Sequence, residues 1–162
     1  HSMTHRTPLG EAPTDAHADT EIVEAGAQLN RLAPGWDADE RWFRPFGRGG
    51  QLGQHVFSPS ALERFASEGY SVMTWNSVPR DWVDHDGWPE TARRHIVDNA
   101  NAGCGTVLVL HDLPTGAMAH LEAFLDGLLA DGVEFTMEPD PSCVPVRNGS
   151  PTADLSLLTV PG

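Results

Sequence analysis

Lysine is missing altogether; every one of the 10 Lys-or-Arg positions is arginine. That excludes Schiff-base and pyridoxal chemistry, a P-loop lysine and Ser-Lys nucleophiles. No Gly-x-Ser-x-Gly, Gly-x-Gly-x-x-Gly, Cys-x-x-Cys or His-Glu-x-x-His motif occurs. Cys104 and Cys143 are too few to argue a disulfide framework or a compartment. No apolar run approaches the roughly 18 residues that span a bilayer, so membrane insertion is not expected. Positive charge is scarce as well. The 10 arginines face 23 Asp and Glu, a formal net charge of −13. A chain that acidic repels a phosphate backbone, which argues against a nucleic-acid partner.

What is present is ordinary globular material. The 162 residues are 40% hydrophobic and 20% charged. A single domain of that length buries about 68–70% of the surface its unfolded chain exposes. Histidine (8) and tryptophan (5) are plentiful, and both build sites.

Along the chain, helical and extended patterns alternate. A helix is expected over 19–33, with Ile22, Val23, Gly26, Leu29 and Leu32 on its apolar face and Pro34-Gly35 as its stop. A short strand over 41–44 leads to a glycine-rich loop over 47–53. Ser58-Pro59 reads as N-cap and first residue of a helix ending at Gly69. Strands are expected over 70–75, 106–110 and 133–137. Further helices are expected over 90–100 and 116–130, the second with Met118, Leu121, Leu125, Leu128 and Leu129 on one side. After Pro139 the Pro/Ser/Gly content rises, and the segment reads as a wrap or loose end. One β–α pair per 30 or so residues argues for an α/β fold with parallel strands alternating with helices. A complete eight-fold barrel needs about 250 residues, so the expectation is an incomplete barrel or an open sheet. The division expected is a main domain over 1–138 and a tail over 139–162.

The polar clusters fall at strand ends. Arg44 closes the first strand, Asn76 and Asp81-Trp82 follow the second, and His111-Asp112 closes the third. In a parallel sheet such ends share one face, where loops build active sites. The chain also opens with His1-Ser2-Met3-Thr4-His5. Two histidines at i and i+4 lie on one face of a helical turn and suit two ligands on one metal ion, and the same spacing fits two solvated surface histidines.

Together these segments resemble the NodB-type polysaccharide deacetylases, carbohydrate esterases of the family 4 kind. His1 through His5 looks like that family's H-[ST]-x-x-H segment. Phe43-Arg44-Pro45-Phe46-Gly47 is similar to its R-x-P-[YF]-G loop, although one residue shorter. Trp75 through Asp81-Trp82 resembles its segment ending in Asp-Trp, and Leu108-Val109-Leu110-His111 its L-x-L-H. The resemblance covers about residues 1–137. The family's opening T-F-D-D segment, which supplies a base aspartate and a third metal ligand, is absent, and a truncated sequence is the expectation.

The resemblance implies an incomplete (β/α) barrel of the NodB type. It implies a metal-dependent hydrolase that removes N-acetyl groups from a chitin- or peptidoglycan-like glycan. The alternatives are a hydrolase of a small linear amide or ureide, and an inactive glycan-binding remnant. By the same resemblance, His1 and His5 would bind a divalent metal, most simply Zn²⁺, which polarises the acetamide carbonyl and acidifies a water. Arg44 would orient the base, and the backbone at Phe46, beside Pro45, would meet the oxyanion. His111, paired with Asp81, would protonate the departing amine, while Trp82 and Leu110 would form a slot for the acetyl methyl. Asp112 is adjacent to His111, but neighbouring side chains on a strand point apart. With two ligands in hand, the chain alone is expected to bind Zn²⁺ weakly and to lack deacetylase activity. His17, His55, His85, His95 and His120 read as solvated.

Overall fold

Capping chemistry decides the best-defined helix. In the computed structural model, which describes residues 1–36 and 39–161, the Ser58 side chain accepts from the Ala61 backbone N–H. Pro59 follows in the first turn, and the helix ends at Gly69, whose φ of 68° a side chain would resist. This helix, Pro59–Glu68, is the third in the chain. Before it, α1 (Asp15–Ala18) runs through a π-helical turn (Asp19–Glu24) into α2 (Ala25–Leu32). With α3 (Pro59–Glu68) these helices belong to one of two compact units, His1–Thr74 with Val144–Gly162.

The same unit holds a mixed sheet of four two-residue strands, in the order β1 (Trp42–Phe43), β2 (Ser71–Val72), β3 (Val146–Arg147), β4 (Ser150–Pro151). β1 and β2 are parallel; β2 with β3, and β3 with β4, are antiparallel. The β3–β4 hairpin turns at Asn148-Gly149, with φ of 47° and 78°. This is the sequence signal for a tight hairpin, and it lies in the segment read as a wrap or loose end. Gly162, the end of that segment, is outside the described residues. The core gathers Ile22, Phe43, Phe57, Phe65, Tyr70, Val72 and Val146.

The second unit, Trp75–Cys143, carries α4 (Trp88–Asn101), a 3₁₀ turn (Ala117–His120) and α5 (Leu121–Ala130). Trp88, Ala92, Phe124 and Leu128 form its core. The Trp88 indole N–H donates to the Ala117 carbonyl at 2.9 Å.

The expected barrel is therefore not formed. Its parallel strands alternating with helices are replaced by a small mixed sheet whose later partners are antiparallel. The apolar run over 106–110 makes a single parallel bridge, Leu108 to Ser77. The segment over 133–137 forms no strand among the described residues, and Phe135 and Met137 are 58% and 100% exposed. A strand exists only through its neighbour, and an apolar run does not specify one. Helix faces also differ. On α5 it is Phe124 and Leu128 that are buried, while Leu125 and Leu129 face outward. In the first helical run Leu29 and Leu32 are exposed, and the buried face carries Ile22 beside a carboxylate, Glu21.

Candidate functional site

The sequence-derived site residues fall in two groups, one in each unit. In the first unit, the opening segment is not a helical turn. The segment runs as bends instead. His5 adopts a left-handed φ of 54°. The His1 and His5 rings meet edge to face, centroids 4.5 Å apart, and His5 lies against Phe46 at 4.3 Å. His1 Nδ1 is 2.7 Å from the Arg44 carbonyl oxygen. A carbonyl only accepts, so Nδ1–H donates, and in the neutral ring the lone pair is then on Nε2. A backbone carbonyl on the second nitrogen is the usual support of a metal-binding imidazole.

Arg44 is half-buried, Phe46 half-buried and Pro45 fully buried. Burial pulls the Arg44 guanidinium below the usual arginine range, and no carboxylate pairs with it among the described residues. The His1 α-amine is held below its ordinary value, first by burial and then by Arg44.

In the second unit, the chain after Trp75 pairs locally with the segment before His111. The Val109 N–H donates to the Ser77 carbonyl at 3.0 Å, and the Asn76 carboxamide oxygen accepts from the Val107 N–H at 2.8 Å. That pairing delivers His111 to Asp81. The buried Asp81 carboxylate accepts from the His111 backbone N–H at 2.9 Å and from ring Nδ1 at 3.0 Å. Both bonds go to one residue, so backbone and ring are fixed together, and Nε2 is the nitrogen left outside the pair. Trp82 stands edge-on to the imidazole, centroids 4.7 Å apart. Leu110 packs on the Trp88 core, and Asp112 is exposed.

No family model, curated protein or solved structure matches this chain. The reading of the site therefore rests on its own chemistry.

A catalytic zinc takes about three protein ligands. Two imidazoles could offer two of these, and among the described residues no three His, Cys, Asp or Glu side chains are grouped to hold a metal. The histidines read as solvated all have partners. His95 Nδ1 meets the buried Ser77 hydroxyl at 3.0 Å, His120 pairs with Asp86 at 3.0 Å, and His17, His55 and His85 bond backbone carbonyls.

Sequence reasoning missed Glu21. It is 1% exposed, and its two oxygens accept from the Thr4 N–H at 3.0 Å and the Thr4 hydroxyl at 2.6 Å. The residues are 17 apart, and no local spacing links them.

Proposed function

We propose that this chain carries the proton donor and part of the metal site of a hydrolase that removes N-acetyl groups from a chitin- or peptidoglycan-like glycan. The observation behind the reading is the Asp81–His111 pair. Cleaving an amide requires a proton on the departing nitrogen, and an imidazole backed by a buried carboxylate is suited to give it. Asp81 holds the ring's direction through Nδ1. His111 passes the Nε2 proton to the amine nitrogen as the C–N bond breaks. Trp82, edge-on to the His111 ring, and Leu110 offer apolar surface for the acetyl methyl.

His1 and His5 would hold the divalent cation, Zn²⁺ by donor type, and such an ion, when bound, polarises the acetamide carbonyl. Arg44, desolvated and without a carboxylate among the described residues, suits the role of orienting a carboxylate base. That base and a third metal donor are required from outside the described residues. The reading rests on side-chain chemistry, since the family's barrel is not what the chain forms. A second reading, an inactive glycan-binding remnant, is favoured by the two-donor count.

The test is acetate release from an N-acetylglucosamine oligomer, with Zn²⁺, by this chain and by protein whose reading frame is extended upstream of His1. Release by the extended protein alone supports the hydrolase. Glycan binding with no release by either supports the remnant.

A further inference from the structure

Glu21 is a costly residue to keep. A carboxyl group that is 1% exposed loses its hydration, and hydrogen bonds have to offset that loss. Among the described residues its hydrogen bonds go to one partner, Thr4, through both the backbone N–H and the hydroxyl. Glu21 sits in the π-helical turn Asp19–Glu24. Such turns widen a helix by one residue and are frequent where a side chain must be aimed.

Thr4 is also the residue before His5, whose left-handed φ of 54° is an uncommon conformation for any residue other than glycine. The opening segment is thus held at three points. The Arg44 carbonyl holds His1, Phe46 flanks the His5 ring, and Glu21 pins the turn between them.

We infer that Glu21 is a positioning residue: acting through Thr4, it sets the distance and angle of the His1 and His5 imidazoles as a preformed two-nitrogen site for a divalent cation. Its hydrogen bonds go to Thr4. The inference rests on the proposed metal role of the pair and adds what organises it. Without the clamp, the segment would keep only the Arg44 carbonyl and Phe46 as anchors, and the two imidazoles would no longer be held at a fixed separation.

The experiment is a Zn²⁺ titration of the full chain, followed by calorimetry and by the imidazole nitrogen and proton signals, with ring-to-ring NOEs recorded in the absence of metal. Glu21→Gln, Thr4→Val and Thr4→Ser are compared at matched folding by circular dichroism. Glu21→Gln is expected to weaken Zn²⁺ binding about 10–100-fold, the usual effect of losing an outer-shell partner. Thr4→Val is expected to weaken it in the same direction, and Thr4→Ser, which keeps the hydroxyl, to restore it. If wild type binds zinc through His1 and His5 and Glu21→Gln stays within twofold, the inference is overturned. If wild type does not bind zinc, the metal reading fails, and the His1-to-His5 NOE decides the positioning role: its loss in Glu21→Gln supports the clamp, its persistence overturns it. If Glu21→Gln fails to fold, the contrast of Thr4→Val with Thr4→Ser decides in the same way.

Discussion

Asp81 meets His111 twice, at the backbone N–H (2.9 Å) and at ring Nδ1 (3.0 Å), across a sequence separation of 30. The carboxylate is therefore both a structural tie and an electrostatic partner. Replacing Asp81 with Ala leaves a backbone N–H without its acceptor and frees the ring. A loss of about 1–3 kcal/mol is expected, the cost of one unsatisfied buried group. Urea unfolding checks it, and an unchanged midpoint would show the tie carries no stability.

The imidazole pair makes a separate expectation. Because a ligand that binds only the folded chain raises its stability, Zn²⁺ should raise Tm, and a chelator should reverse the rise. His1→Ala and His5→Ala should each abolish it. A rise that survives both substitutions would place zinc elsewhere.

How much of this was legible in the sequence depends on range. The third helix was readable because Ser58, Pro59 and Gly69 act on the residues beside them. The first strand was readable down to Trp42–Phe43. The barrel was misread because pairing is a long-range decision. The run over 106–110 has strand composition but finds one bridge, to Ser77. The Asn148-Gly149 hairpin was written locally, yet the Pro and Ser around it read as a loose end. Asp81 and His111 were named through resemblance, and the structure brings them together. The Glu21–Thr4 clamp had no signal, since a buried carboxylate in a helix looks like any solvated one until the fold covers it.

Acid should act partly through Asp140. Its carboxylate accepts from the Ser142 hydroxyl, the Ser142 N–H and the Gly105 N–H, and the Ser142 hydroxyl does most to hold its pKa below the ordinary aspartate value. A depressed folded-state pKa stabilises the fold above the unfolded value of about 3.9, and that contribution is lost as pH falls through the folded value. Asp140→Asn should therefore be less stable than wild type at pH 7, with the gap closing near pH 2. A gap independent of pH would mean that the carboxylate's charge is not involved.

Gly10 is a packing requirement. Its N–H donates to the His55 carbonyl at 2.9 Å. A Cβ there would lie 2.6 Å from the Phe57 carbonyl oxygen, 2.8 Å from the His55 carbonyl carbon, and closer still to the Gln54 carbonyl oxygen. All three are backbone and cannot swing aside. Gly10→Ala should cost about 1–3 kcal/mol by overpacking, read as a lower Tm. Wild-type stability would contradict this close approach.

The hydrolase reading meets its most direct test in acetate release from an N-acetylglucosamine tetramer by protein extended upstream of His1, with Zn²⁺, after exhaustive chelation, and with His111→Ala. The expected result is zinc-dependent release that chelation removes and zinc restores, with kcat about 10²–10⁴ lower in His111→Ala. Release undiminished by chelation, or a His111→Ala rate within a few-fold of wild type, would contradict it.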